Sequence, residues 1–480
     1  MITDRERELA GELSAQLRQH ANNNEQKWSY YEGRSGVKNM GIAIPEPMFD
    51  VKAVMGWPEI VVDALAERVE WLGWRSSEDI EGLETVVRQN QLDVEVSKAV
   101  LDSLVTGVGF LAATAGGEGE PEVIVTAVPS SQATYTWDAR LNRMASGLVV
   151  SHGPDGELYE TLYLPDVTIS RVAARDGTES VTRDEHYRGR CSLIALPNRA
   201  RSSAQAQGKS EISSTIRYYT DHGIRTVLGM EYNREIYTTP HRYLLNVTPE
   251  QIGMSEEPTQ SELVRAGWQV AQNKALFLPP GDPDEGISDP QVGQFTAAPP
   301  TPYIDELRML AQLVSAQSGV PTSYLGFVSD NPTSADAIRA SEARLVKKAE
   351  LRQTSFGRAL VNDLAFVCQA ILDGAPPSVD FMTGLSCVWR EASTPTLAAT
   401  VDAWIKLVQA GVASGSSEVL LDKLGLTEAE KAVIRRERAE DRALARLEAL
   451  VAKARSPESP EVDPDVGLDE FVSGGDSTGL

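Results

Sequence analysis

The chain has 480 residues, of which 41% are hydrophobic, and a formal net charge of −24. This length allows two to four domains with real cores, while the acidic balance excludes tight non-specific binding to nucleic acid, which needs a basic surface. The sequence has no run of 18 apolar residues and only three widely spaced cysteines, so we expect no membrane span, no disulfide framework and no Cys-x-x-Cys metal site.

The first hundred residues are predicted to be mostly helical. Thr3 and Glu6 form a capping box for a first helix, which we expect to end in the polar run HANNNEQ. Apolar residues spaced three and four apart predict three further helices, over 58–72, 79–90 and 93–106.

From Phe110 onward the apolar spacing changes to every second residue. Segments rich in β-branched and aromatic residues alternate with Gly, Pro and Asp turns, which predicts a mixed sheet of hairpins attached to the N-terminal helices. Six segments show this pattern: FLAATA, EVIVTAV, ATYTW, SGLVVSH, LYETLYL and VTISRVA. The small polar residues of 191–208, which follow, are typical of a linker.

Two helices are predicted to carry a small insertion. Residues 209–237 show helical apolar spacing and end before Pro240, and residues 303–317 form a second helix that stops at Gly319. Between the two helices lie three strand-like pieces, RYLLNVT, KALFLPP and VGQFTAA, separated by acidic turns rich in proline. This order indicates a small α/β subdomain held on two helical legs.

The longest helical pattern runs from Thr333 to Gly374. Thr333 and Asp336 are the predicted capping pair, and about forty residues at about 1.5 Å each give a rod of roughly 60 Å. Gly357 in its middle predicts a kink or a close contact. In the first half of the helix the basic residues exceed the acidic ones by three, which by itself is typical of a solvated face. One face carries the apolar residues Ile338, Leu345, Ala349, Phe356, Leu360, Leu364, Val367 and Ile371.

The last hundred residues carry little motif. A short strand is predicted at 386–390, and helices are predicted at 396–410 and 427–455, the second of them with a capping box and mixed charges on most faces. The final segment, 456–480, contains seven acidic residues and no Lys or Arg. It is predicted to be a disordered acidic tail.

No motif of known chemistry is complete in this sequence. The stretch GKS at 208–210 would need a glycine in place of Ser203 to be a phosphate-binding loop. The Gly-Val-Gly at 107–109 leads into a strand and lacks a third glycine, and the five histidines lack metal-binding spacing. We therefore expect no catalytic residue, no cofactor and no metal, and instead a structural or assembly role.

A loop followed by the long helix carries the clearest resemblance to a known family. Its sequence, SGVPTSYLGFVSDNPTSADAIRASEARLVKKAELRQTSFGRAL, resembles the portal (head-to-tail connector) proteins of tailed bacteriophages, in particular those of long-tailed actinobacteriophages. Four other segments fit the same pattern: YYEG at 30–33, VVDALAERVEWLGW at 61–74, ALPNRAR at 195–201, and the stretch 208–245. The resemblance is specific because several spaced segments agree in the family's order.

The resemblance implies an α+β, mainly helical portal fold with wing, stem, clip and crown, a long kinked spine helix, and assembly as a cyclic ring. Such a ring, typically of about twelve subunits, forms the DNA channel at one capsid vertex for genome packaging, retention and ejection. The implied parts are a wing at 1–208 and 334–397, stem helices at 209–237 and 300–318, a clip at 238–299, a tunnel loop at 319–333, crown helices at 398–455 and the tail at 456–480.

Two sets of residues follow as site candidates. The tunnel loop is expected to contact DNA through Phe327, Val328, Ser329, Asp330, Asn331 and Thr333. The same Asn-Pro-Thr chemistry also makes an ordinary corner between a loop and a helix. Basic residues of the spine helix are expected to meet acidic neighbours at a subunit interface rather than to grip DNA; they are Lys347, Lys348 and Arg352.

The implied partners are further copies of the chain in a homo-oligomeric ring, double-stranded DNA in the channel, the major capsid protein, the head-tail adaptor and the terminase large subunit. No membrane partner is expected. The implied location is the portal vertex of the virion, after assembly in the host cytoplasm. Two alternatives stay open: another virion structural protein, such as a minor capsid or baseplate component, or an intracellular enzyme that uses acids such as Asp282, Asp284 and Glu285.

Overall fold

The protein has an α+β architecture in two compact units. The structure is a computed structural model that describes residues 2–35, 53–201, 208–238, 242–248, 255, 257–265, 280–281, 288–294, 296, 299–327, 334–393, 397–412, 414, 417–424, 426 and 428–455. The first unit comprises Met1–Thr394 and the second Pro395–Leu480. All described strands belong to the first unit, which also contains the candidate site.

Four helices open the first unit: α1 (Asp4–Tyr31), α2 (Trp57–Ala66), α3 (Glu81–Asn90) and α4 (Leu92–Thr106). The N-terminal capping box of α1 is confirmed. The predicted end of α1 in its polar run is wrong, because that run has tertiary partners. Asn24 is buried there, and its side-chain amide donates to the carbonyl oxygen of Ser130 at 3.5 Å. Such contacts override the weak helix propensity of asparagine.

The prediction of one helix over 58–72 is wrong in its second half. Residues Trp71–Arg75 instead form strand β1, which pairs antiparallel with a strand at Ser386–Trp389, here β12. Trp71 and Trp74 are both buried, and their rings meet edge to face at 4.9 Å. Bulky aromatic residues pack well on such a paired strand. The strand predicted near the end of this unit is thereby confirmed.

Eight strands follow α4: β2 (Val108–Ala115), β3 (Val123–Val128), β4 (Ala133–Asp138), β5 (Arg143–His152), β6 (Leu158–Tyr163), β7 (Val167–Ala173), β8 (Glu179–Glu185) and β9 (Leu193–Pro197). They form a three-stranded sheet in the order β3-β2-β9 and a five-stranded sheet in the order β4-β5-β6-β7-β8. Every described pair is antiparallel, so the hairpins are confirmed and the mixed sheet is wrong. The linker predicted over 191–208 is also wrong, because β9 lies within it, where Leu193, Ile194 and Leu196 are buried beside β2.

The main core lies between α2, α4, the three-stranded sheet and the spine helix, and a smaller core lies where Leu13 of α1 packs on the five-stranded sheet. Helix α4 and strand β2 approach very closely. A Cβ atom on Gly109 would lie 1.8 Å from the carbonyl oxygen of Ala99, so only glycine fits at this point.

The insertion begins and ends with helices α5 (Ser214–Thr238) and α6 (Thr301–Ser318). The two helices pack closely, since a Cβ atom on Gly229 of α5 would lie 3.2 Å from the ring of Tyr303 on α6. Between them, β10 (Arg242–Leu245) and β11 (Gln291–Gln294) form an antiparallel ribbon. These strands confirm two of the three predicted pieces. The third, KALFLPP, lies outside the described residues except for its last proline, Pro280.

The predicted spine begins one residue later than expected. Ser334 is the N-cap of helix α7 (Ala335–Ala359), and its hydroxyl oxygen accepts from the N–H of Ala337 at 3.2 Å. The predicted cap residue Thr333 lies outside the described residues. On the apolar face, Ile338 is 48% exposed because the first turn of α7 lies outside the core, whereas Leu345, Ala349, Phe356, Leu360, Leu364 and Val367 are buried and Ile371 is partly buried.

The distortion of the spine lies beyond Gly357. A π-helical segment, Leu360–Ala365, separates α7 from α8 (Phe366–Asp373), and the indole N–H of Trp74 donates to the Leu360 carbonyl oxygen at 3.2 Å. Gly357 serves instead as a point of close contact, because a Cβ atom there would lie 3.3 Å from the indole nitrogen of Trp389. A short helix, α9 (Val379–Gly384), then leads to β12.

The second unit is helical where it is described. It contains α10 (Leu397–Gln409), α11 (Glu418–Lys423) and α12 (Glu428–Arg455), so both predicted helices are confirmed. The predicted tail at 456–480 lies outside the described residues.

Candidate functional site

The chain turns sharply where α6 ends and the predicted tunnel loop begins. Gly319 has a φ of 82°, a left-handed conformation that favours glycine, and its N–H donates to the carbonyl oxygen of Ser315 at 2.7 Å. A Cβ atom on Gly319 would lie 3.2 Å from the side chain of Arg344 on α7. The guanidinium of Arg344 donates to the carbonyl oxygen of Ala316. Helix α7 therefore places a cation at the C-terminal end of α6, where the helix dipole favours it.

A short 3-10 helix, Thr322–Leu325, holds the start of the loop against the body. Leu325 is buried, and the N–H of Phe327 donates to the carbonyl oxygen of Thr322 at 3.3 Å. Phe327 is half-buried and packs against the main core. We call residues 318–327 the loop base, and Phe327 belongs to it. The other predicted loop residues lie outside the described residues; they are Val328, Ser329, Asp330, Asn331 and Thr333.

Three side chains from distant parts of the chain meet at the loop base. The hydroxyl of Tyr324 donates to Glu342 on α7 at 2.8 Å and accepts from Arg68 at 3.0 Å. Arg68 also pairs with Glu342 at 3.2 Å, and the side chains of this pair are only 11% and 14% exposed. Burial and the bond to Glu342 raise the pKa of Tyr324, so it remains a neutral donor at physiological pH. These contacts fix the loop base to α7.

Glu211 lies at the centre of a more deeply buried polar cluster, with a side chain that is 2% exposed. Its Oε1 atom accepts from Arg352 at 2.8 Å and from the side-chain amide of Asn198 at 3.1 Å. Its Oε2 atom lies 3.3 Å from the ammonium of Lys348 and 3.7 Å from the guanidinium of Arg199. We call these five residues the Glu211 cluster. It joins the chain after β9, the segment before α5 and the middle of α7.

The partners of Glu211 fix its charge. Burial alone would raise the pKa of this carboxyl group, but the nearby ammonium of Lys348 and the guanidinium of Arg352 outweigh burial and lower the pKa to about 2. Glu211 is therefore ionised at physiological pH. Lys348 also donates to the carbonyl oxygen of Ser318, the last residue of α6. This one ammonium group connects the Glu211 cluster to the loop base.

The segment before α5 is fixed to the end of α4. The N–H of Glu211 donates to the carbonyl oxygen of Leu104 at 2.9 Å, and the ammonium of Lys27 on α1 donates to the carbonyl oxygen of Thr106. Both acceptors are carbonyl groups that a helix leaves free at its C-terminus. Burial, with a smaller effect from the charge of Arg217, lowers the pKa of Lys27 to about 8. Because the N–H of Glu211 holds the segment before α5 on α4, helix α5 begins at 214 rather than at the predicted 209.

The three basic residues predicted at a subunit interface occupy two different environments. Lys348 and Arg352 belong to the Glu211 cluster, and Arg352 is 7% exposed, so contacts within the subunit account for both residues. Their place at a subunit interface stays a prediction. Lys347 lies at the surface, where it pairs with Glu350 at 3.0 Å, and its place at an interface stays a prediction.

Glu211, Arg68 and Tyr324 are not found by sequence reasoning. Glu211 is separated from Lys348 by 137 residues and from Arg352 by 141, so no local spacing reports these contacts. The usable signal is indirect. A glutamate directly before an apolar helix face enters the core with that face, and a buried carboxylate must find partners.

The described residues offer few reactive groups. Among them, no group of three or more His, Cys, Asp or Glu is placed to hold a metal ion. Burial raises the pKa of Cys191 and of Cys368 to about 12, so neither thiol is a nucleophile at neutral pH. The acids Asp282, Asp284 and Glu285 lie outside the described residues.

Within the described part of the chain, one helical stretch, Ala337–Asp373, is long and apolar enough to cross a membrane by length and composition alone. Half of its most apolar window is buried inside the protein, as in the core helix of a globular protein. Its packing in the main core explains this composition.

Three comparisons relate the chain to known proteins. A family model described as "Phage portal protein, SPP1 Gp6-like" matches residues 12–446. The chain is 30% identical over 467 residues to the portal protein of Mycobacterium phage D29, which covers 94% of this chain and 92% of the relative. It is 31% identical over 394 residues to the portal protein of Mycobacterium phage L5, which covers 79% and 77%.

Similar solved structures come from gene transfer agent (GTA) particles. A chain from the virion of a native particle is 14% identical, covers 77% of this chain and 90% of its own length, and has a TM-score of 0.46. A chain from the neck of a native particle, with the same coverage, is 13% identical and has a TM-score of 0.45.

Proposed function

This chain belongs to the SPP1 Gp6-like family of phage portal proteins, and we propose that it forms the ring-shaped DNA channel at one vertex of a phage capsid. It is a portal protein rather than another virion component or an intracellular enzyme. The observation that carries this conclusion is the family match over residues 12–446, together with two relatives of the same name. Genome packaging, retention and ejection through the ring are part of the proposal.

The parts of a portal are assigned as the resemblance implies. Residues 1–208 and 334–397 form the wing, 209–237 and 300–318 the stem, 238–299 the clip, 319–333 the tunnel loop, 398–455 the crown and 456–480 an acidic tail. The close packing of α5 on α6 supports a paired stem, and the ribbon of β10 and β11 lies between these helices in sequence, as a clip would. The compact body of helices and sheets before α5 supports the wing.

A channel for DNA must let a polyanion slide without holding it. Each ion pair with a phosphate would add a barrier to movement, so an acidic ring of subunits that each carry −24 is suited to this task. The cations near the loop base already have partners within the subunit: Arg344 binds a helix end, and Lys348 and Arg352 bind Glu211. Lys348 and Arg352, which are largely buried, are therefore not available to phosphates.

The proposed tunnel loop extends from the base into the channel over residues 328–333. Its start is fixed by Tyr324 and Leu325, and its end by the N-cap residue Ser334. In the ring, Lys347 would face an acidic surface of the adjacent subunit. The major capsid protein would surround the wing, and the head-tail adaptor and terminase large subunit would dock at the clip. The virion is the proposed location, after assembly in the host cytoplasm.

The ring is tested by native mass measurement and electron microscopy of the purified protein. We expect a closed ring with a central hole and a mass about twelve times the subunit mass of 52.1 kDa. A monomer or dimer under all ionic conditions would refute the ring.

The loop is tested by shortening residues 328–332 while keeping Phe327, because Phe327 packs against the core. We expect rings to assemble normally and DNA packaging to fall. As a control, shortening the exposed turn at 117–119 in the wing leaves both assembly and packaging unchanged. Normal packaging by the loop variant would remove the channel role of this loop.

A further inference from the structure

The Glu211 cluster lies where the insertion leaves the wing and where it returns. Glu211 is in the segment that leads into α5, and Ser318 is the last residue of α6. Lys348 contacts both, through the Glu211 carboxylate at 3.3 Å and through the Ser318 carbonyl oxygen. One side chain of α7 therefore joins the two ends of the insertion.

Glu211 itself is fixed in the wing. Its N–H donates to the carbonyl oxygen of Leu104 at the end of α4, and the next residue, Ile212, is 1% exposed in the main core. The side-chain amide of Asn198 holds the Oε1 atom at 3.1 Å and also donates to the carbonyl oxygen of Lys209 at 2.7 Å. The carboxylate is thus a rigid point against which Lys348 and Arg352 on α7 are set.

Stability alone does not explain a buried ion cluster at this place. The cost of removing charges from water often cancels the attraction between them, and apolar side chains of the same volume are frequently as stable. What several charged hydrogen bonds add is a fixed geometry, because each bond requires its own distance and direction. The geometry fixed here is that of the end of α6, from which the loop base begins.

We propose that Glu211 is a positioning residue for the channel loop. Through Lys348 it holds the end of α6, and with it the loop base at 318–327, in a fixed position relative to the wing. This inference rests on the proposed function of the loop. In this inference Glu211, which precedes the loop base by more than one hundred residues, controls where the loop begins. Arg344, which binds the Ala316 carbonyl oxygen, is a second and independent tie between α7 and α6.

The test is hydrogen exchange of the assembled protein, read peptide by peptide, for Glu211→Gln. The variant leaves Lys348 and Arg352 without their counter-charge. We expect exchange to rise at least about tenfold in peptides covering 208–213 and also in peptides covering 318–327, with little change in the five-stranded sheet. The matched control is Glu350→Gln, the same substitution in an exposed pair on α7, which should change neither region.

Each outcome decides the proposal. Faster exchange at 208–213 alone, or at neither region, overturns it, because a merely local role does not reach the loop base. Should Glu211→Gln fail to fold, Lys348→Met takes its place, because it keeps an aliphatic side chain and the Glu211–Arg352 pair. Exchange is then compared in the same two regions, 208–213 and 318–327, and the same results support or overturn the proposal. DNA packaging is measured in parallel. A loosened loop base with normal packaging would reject the channel role of the loop and leave the positioning role of Glu211 in place.

Discussion

Two glycines at the loop base provide a matched pair for one prediction. Gly319 follows helix α6 and Gly326 follows the short 3-10 helix, and both have left-handed backbones, with φ values of 82° and 90°. A Cβ atom on Gly326 would meet nothing within 4 Å, whereas on Gly319 it would lie 3.2 Å from the side chain of Arg344. The substitution Gly→Ala therefore has the same backbone cost at both positions and a packing cost at only one.

The magnitudes follow from these contacts. An L-residue in the left-handed region costs about 1–2 kcal/mol, so Gly326→Ala should lower the unfolding free energy by about that amount. Gly319→Ala should also displace Arg344 from the Ala316 carbonyl oxygen, and the loss of this hydrogen bond adds about 1 kcal/mol. We therefore expect the Gly319 variant to be less stable than the Gly326 variant by about 1 kcal/mol.

The assay is urea unfolding at one fixed protein concentration, followed by fluorescence of the eight tryptophans. In an Arg344→Ala background the extra cost at Gly319 should disappear, because the displaced partner is already absent. Equal destabilisation at the two glycines, or an extra cost that persists without Arg344, would refute this account of the turn.

Three further predictions concern other contacts. Tyr324→Phe removes the hydroxyl that links Glu342 and Arg68, so the unfolding free energy should fall by about 1 kcal/mol, and unchanged stability would show that the hydroxyl contributes nothing. The pKa of Lys27 is lowered from 10.5 to about 8 in the folded protein, so between these pH values the unfolded chain binds a proton that the folded chain has released. The stability of the wild type should therefore rise with pH relative to that of Lys27→Met, by at most about 3 kcal/mol. Parallel stability profiles of the two proteins would argue against this burial of Lys27. Gly109→Ala should abolish soluble expression because the added Cβ atom would clash with the Ala99 carbonyl oxygen. As a control, Gly11→Ala on α1, where a Cβ atom meets nothing within 4 Å, should raise the unfolding free energy by about 0.5–1 kcal/mol. A soluble Gly109 variant would contradict the close approach of α4 and β2.

Local periodicity predicts most of the helices and hairpins, and it is wrong where tertiary contacts decide. The apolar residues around Trp71 fit a helix as well as a strand, and only pairing with β12 selects the strand. Strand β9 resembles a linker because the polar residues that follow it dominate the composition, although Leu193–Pro197 complete a sheet. Both errors have the same cause: the partner strand lies far away in the sequence.

The candidate site shows the same division. The spacing of Asn331, Pro332 and Thr333 predicts a corner before a long helix, and the helix begins at Ala335, so this part of the prediction needs only local chemistry. The roles of Lys348 and Arg352 could not be predicted, because a basic residue on a helix looks alike whether it faces solvent or a buried carboxylate. The contact with Glu211 determines the environment of both residues, and this contact exists only after the insertion has returned to the wing.

That return also sets an order for folding. Residues 1–211 can be synthesised and can begin to collapse with Arg199 near Glu211, but the two closer counter-charges, Lys348 and Arg352, emerge only 137 and 141 residues later. A carboxylate that enters the core with only part of its partners is costly, so the junction between wing and insertion should remain open in incomplete chains. The entropy of closing so long a loop grows only slowly with its length, yet contacts of large sequence separation form late. We therefore expect a nascent subunit to gain its final shape at the loop base only when the spine helix has been made.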